Sequence, residues 1–78
     1  MRDLGREMVW SRAAERLVSL PGFPSWRAEE VGVLLAQAFI PIFPWESKRE
    51  RSTDLASRAD ARRRLRDMIE DQLGIILP

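Results

Sequence analysis

Few of these 78 residues can move a proton or attack a carbon. There is no histidine, cysteine or tyrosine. A Ser-His-Asp triad and a Cys-His pair are therefore excluded, as is a zinc site built on nitrogen or sulfur ligands. The four glycines stand apart at positions 5, 22, 32 and 74, so no glycine-rich phosphate loop exists. Carboxylates are the remaining acid–base groups. Asp67, Glu70 and Asp71 lie close in sequence, and paired carboxylates can hold a hard cation or do acid–base work. Their spacing from Arg63 and Arg66 also suits ordinary i, i+4 ion pairs on a solvated helix face. That second account is the economical one. The expectation is a protein that is not an enzyme, with no metal, no cofactor and no small-molecule substrate.

The arginines offer more. The chain has twelve arginines and one lysine, and its net charge is only +1. That balance hides an asymmetry. Residues 48–66 hold eight basic groups against three acids, a net of +5, while the remainder holds five basic and nine acidic groups, a net of −4. A preference for arginine follows from a GC-rich genome, and it also suits anion recognition, because the guanidinium presents a planar fork of donors. Lys48, Arg49, Arg51, Arg58, Arg62, Arg63, Arg64 and Arg66 would be the phosphate contacts of a DNA- or RNA-binding regulator. Two features oppose that reading. Asp54, Asp60 and Asp67 interrupt the basic run, and residues 41–51 are too long and too proline-rich for the tight turn of a helix-turn-helix.

The third resource is aromatic. Trp10, Trp26, Trp45, Phe23, Phe39 and Phe43 are many large rings for so short a chain. Most belong in a core. Ile42, Phe43 and Trp45, however, sit on a proline-bounded stretch, and an exposed patch of that kind marks a contact site. Tryptophan and arginine together are enriched at binding hot spots. The leading expectation is a small regulatory protein acting through protein–protein contacts, bound to another protein or to itself as a homo-oligomer. Ile42, Phe43 and Trp45 would be its apolar anchors, and Arg58, Arg62, Arg63 and Arg66 its charged complement.

The elements that must position these residues are predicted to be helices. From about Asp3 to Leu20, Trp10, Ala14, Leu17 and Val18 share one face of a helical wheel, with Leu4 and Met8 at its edge. Pro21 and Gly22 end that helix. Ser25 is placed to cap a second helix running from about Trp26 to Ile40, with Glu29 and Glu30 near its positive end. Val31, Leu34, Leu35, Ala38 and Phe39 form its main apolar face. Trp26, Val33 and Ile40 lie on the other side, so this helix is either central to a bundle or part of an oligomer interface. Trp26→Ala tests that: a cost on the order of 3–5 kcal/mol means a core ring.

Pro41 stops the second helix. Two starts compete for the third. Ser47 with Glu50 makes a capping box, and Ser52-Thr53-Asp54 offers a second N-terminus, which is the one favoured for the main helix. Its apolar stripe is Leu55, Ala59, Leu65, Met68, Ile69 and Leu73, and Gly74 is its C-cap. Arg58 and Arg62 fall within that stripe. Either the first half of the helix projects beyond the core, or these arginines pair with acids such as Glu29, Glu30 or Glu46. The first is expected, so Arg62→Glu should leave folding nearly intact and abolish partner binding; loss of the helical signal would instead mean that Arg62 is paired inside the structure. The tail Ile75-Ile76-Leu77-Pro78 is expected to fold back on the core or enter a neighbouring chain.

The fold class expected is thus all-α: a single domain over residues 1–78, a small three-helix bundle with a proline-rich connector between helices 2 and 3. Pro21–Trp26 echoes Pro41–Trp45, but two short matches make no repeat architecture. The longest apolar stretch, residues 31–45, is short of a membrane span and contains Pro41 and Pro44. The first residues carry charges at Arg2, Asp3, Arg6 and Glu7 with no apolar run behind them, which suits a cytoplasmic protein. In composition the chain is similar to small regulatory and host-takeover proteins of phages and actinobacteria, a likeness that assigns no residue a role.

Overall fold

Proline and glycine divide the chain where the pattern predicts. The computed structural model describes residues 3–78, with side chains from Gly5 onward. Helix α1 spans Asp3–Val18, α2 spans Ser25–Ala38 and α3 spans Lys48–Leu73. No strand occurs among the described residues. The architecture is the expected all-α three-helix bundle, with the irregular connector between α2 and α3. Leu4, expected at the edge of the first apolar face, lies outside the described side chains.

Each boundary has a local cause. After α1 the amide of Phe23 donates to the Leu20 carbonyl at 3.0 Å. Pro21 and Gly22 occupy the two central positions of that turn, and Gly22 has φ +81°, as a type II turn requires. The cap of α2 differs from expectation. Pro24, not Ser25, is the N-cap, and no side chain caps this end. The proline ring already favours the extended backbone an N-cap needs, so the helix begins one residue early. Glu29 and Glu30 consequently fall in the second turn rather than the first.

The start of α3 is the larger correction. The helix begins at Lys48, not in the Ser52-Thr53-Asp54 cluster. The Ser47 hydroxyl accepts from the Glu50 amide at 3.1 Å, and the Glu50 carboxylate accepts from the Ser47 amide at 2.8 Å. This reciprocal box satisfies two amides that would otherwise lack partners. With it in place, Ser52, Thr53 and Asp54 are simply helical. At the other end Gly74 takes the left-handed conformation at φ +68° and donates to the Glu70 carbonyl at 2.9 Å. The tail then turns back and buries Leu77 against the core.

The core is small and lies toward one end. Trp10, Ala13, Ala14 and Leu17 enter from α1, Val31, Leu34 and Ala38 from α2, and Ala61, Leu65 and Ile69 from α3. All of α3's buried residues belong to its second half, so the half before Asp60 projects as an arm. Leu55 and Ala59, expected in the apolar stripe, are exposed on that arm. The dimensions agree: the principal extents are 43 × 26 × 15 Å. The radius of gyration is 13.4 Å, against about 11.5 Å for a compact chain of this length.

Candidate functional site

The connector between α2 and α3 is short of apolar burial but rich in hydrogen bonds. Its turn closes when the Glu46 amide donates to the Phe43 carbonyl at 3.2 Å. The Glu46 carboxylate in return accepts from the Phe43 amide at 2.8 Å. Arg51, one turn into α3, reaches back and donates to the carbonyls of Glu46 at 3.2 Å and Pro44 at 3.4 Å. Ser47 joins the turn directly to the capped helix. The segment is therefore held in one shape by local bonds.

That shape stacks two rings. Phe43 and Trp45 lie 4.6 Å apart, centroid to centroid, at an interplanar angle of 7°. Trp45 is 78% exposed and Phe43 is also open to solvent. Ile42 is half-buried. Of the three expected anchors, the structure brings Phe43 and Trp45 together as one exposed apolar unit and turns Ile42 partly inward.

Glu46 has an unusual environment. One of its oxygens, Oε1, is shielded and meets no donor. The Phe43 amide lowers the carboxyl's pKa, but the facing Asp54 carboxyl, partial desolvation and the charges of Asp54 and Glu50 outweigh it, and the net shift is upward. Glu50 moves the other way, held below the usual range by the backbone and side chain of Ser47.

The arginines divide into groups. Arg62 lies beneath the connector's first residues. Its Nε donates to the Ala38 carbonyl, the last of α2, at 2.6 Å, and its guanidinium sits 4.5 Å from the centre of the Phe39 ring. A cation at a helix C-terminus meets the negative end of the dipole and fills an orphan carbonyl. Arg66 covers the buried Trp10 ring at 5.1 Å. Phe39 meets the same indole edge-on, at 5.7 Å and 79°. Arg58, Arg62 and Arg66, with Leu55 and Ala59, line one shallow cleft along α3. Arg63 belongs to another face, where it pairs with Asp60, as does Arg64 at 3.0 Å. The eight basic residues thus do not form one continuous surface. Lys48 and Arg49 stand exposed at the tip, Arg51 faces the connector, and Arg62 and Arg66 cover aromatic rings.

Among the carboxylates, Asp67, Glu70 and Asp71 share an open depression with Arg27 and Arg64. No group of three acids among the described residues is arranged to hold a metal ion. No helix among them is long and apolar enough to cross a membrane. One exposed feature was only half visible in the sequence. Trp26 is 68% exposed, so it is a surface residue and not a core ring. Val33 is exposed on the same outer side of α2.

No family model, curated protein or solved structure matches this chain.

Proposed function

We propose that the chain is a small, non-enzymatic, cytoplasmic regulatory protein that grips another protein through its connector. The observation that carries this reading is the stacked Phe43–Trp45 pair, exposed on a segment that hydrogen bonds hold in place. A preformed aromatic unit loses little conformational freedom on binding, which is how a small surface reaches useful affinity. Lys48 and Arg49 beside it are the exposed cations that would meet acids on the partner's rim. Arg58 extends the basic character along the arm, while Arg62 and Arg66, on the packed half of α3, hold to the end of α2 and to the Trp10 ring.

The test is a photo-crosslinking amino acid at position 45, with Glu15 on α1 as the control position. A protein adduct is expected from position 45 and not from position 15. The captured protein, once purified, should bind the wild-type chain and lose about thirtyfold in affinity with Trp45→Ala, the roughly 2 kcal/mol of a hot spot. Absence of any protein adduct at position 45 would overturn the reading. So would a salt-sensitive shift of duplex or single-stranded probes by the purified chain, which would move the function to nucleic acid through residues 48–66.

A further inference from the structure

We propose that the cleft along α3 is a docking site for an acidic amphipathic helix of the partner protein. Arg58, Arg62 and Arg66 stand four residues apart, all within α3. Each is about 6 Å along the helix axis from the next, so the three make one basic ridge. Beside it Leu55 and Ala59 make a short apolar ridge with the same spacing. All five line one cleft, and no acid among the described residues lines it. Such docking presupposes that the chain grips a protein, and it gives that protein's contact segment a definite chemistry.

Two of the three cations are already held in place. The Arg62 guanidinium sits over Phe39, and its Nε donates to the Ala38 carbonyl. The Arg66 guanidinium sits over the buried Trp10 ring. All three arginines are half-buried. Much of the entropy of these long side chains is therefore lost on folding and not on binding, which favours the bound state. Charge is also distributed unevenly around α3. Asp60 offsets Arg63 and Arg64 on another face, whereas the cleft is lined by arginines without an acid between them.

The two ridges together specify the occupant. A helix with carboxylates at every fourth residue repeats the spacing of the arginines, and charge-assisted bonds between guanidinium and carboxylate are among the stronger polar contacts. A neighbouring row of apolar side chains on that helix would cover Leu55, which is 52% exposed, and the exposed Ala59. A nucleic-acid backbone fits less well, because phosphates and sugars would leave the apolar ridge without an apolar cover.

The probe is a synthetic helical peptide with glutamates at every fourth position beside a row of leucines. It is titrated into the isotope-labelled full chain and followed by NMR. Shifts are expected at the amides of Leu55 and Ala59 and at the Nε–H signals of Arg58, Arg62 and Arg66, with none at Glu15. Replacing the peptide's glutamates by glutamine should weaken binding about tenfold, the combined effect of three ion pairs at a partly exposed surface. Arg58→Ala, on the arm, should keep the helical signal and weaken binding severalfold, and Leu55→Ser should do the same. Absence of shifts in the cleft, or equal binding of the glutamine peptide, overturns the proposal. So does a DNA or RNA oligonucleotide that gives the same shifts at lower concentration than the peptide, or a cleft whose signals shift with protein concentration alone, which would make a second copy its occupant. The connector is tested separately: a Phe43→Ala, Trp45→Ala double variant should bind the peptide as the wild type does. A peptide that shifts only Phe43 and Trp45 would leave the connector as the binding site and overturn the assignment to the cleft.

Discussion

Arg62 illustrates how one polar side chain can reinforce a seam that apolar packing already forms. Its hydrogen bond to the Ala38 carbonyl and its place over Phe39 bind the middle of α3 to the end of α2. Arg62→Glu would replace that donor with an acceptor beside an orphan carbonyl. We expect it to lower stability by roughly 2 kcal/mol, the scale of a hydrogen bond to a charged group, read as a lower denaturation midpoint. An unchanged midpoint would mean that the contact contributes nothing. The tryptophans make a matched pair. Trp10 is fully buried, so Trp10→Ala should cost about 3–5 kcal/mol. Trp26→Ala in dilute, monomeric protein should change folding by no more than about 0.5 kcal/mol, as other surface substitutions do. Equal losses at the two positions would contradict the burial described here.

Helix α3 is 26 residues long, yet only its second half is packed. Its first half depends on local devices, above all the capping box. Ser47→Ala should cost about 1 kcal/mol and fray the first turns, seen as loss of amide protection at residues 48–52. Acid acts here in two opposed ways. The raised carboxyl of Glu46 contributes stability that is complete below the ordinary carboxylate range and is lost as pH rises through its folded value. The lowered carboxyl of Glu50 contributes stability present above that range and lost as pH falls through its folded value. Acidification from neutral pH should therefore first tighten the connector and then release the cap. Asp54→Asn should abolish the first step and leave the second, as followed by the amide shifts of Phe43 and Ser47. A single monotonic loss in the wild type would contradict the Glu46–Asp54 pairing.

The molecule as a whole has its core at one end and an arm at the other. Stability should follow the same gradient. Amide exchange should be slowest around Leu65 and Ile69 and around Leu34, and faster by orders of magnitude from Lys48 to Asp60, where no side chain is buried. Uniform protection along α3 would show that the arm is covered in solution. The net charges of the two regions do not create one basic face, because α3 distributes its arginines around its circumference and Asp60 engages two of them.

Read by itself, the sequence determined the three helices, the proline and glycine boundaries and the inward faces of α1 and α2. These depend on backbone geometry and on side chains three or four residues apart. The same local logic made Gly74 legible as a cap, and left Ser47 and Ser52 as rival starts for α3. Only the structure decided between those starts: both are local signals of the same kind, and the box that forms is the one between Ser47 and Glu50, next to a connector that Glu46 and Arg51 tie to the start of the helix. It also decided where Arg62 goes, since its partner is 24 residues away. Trp26 and Val33 could be read as core or as surface. Their exposure depends on how many neighbours α2 has, and a single apolar face of α1 and half of α3 cover one side of it and leave the other open.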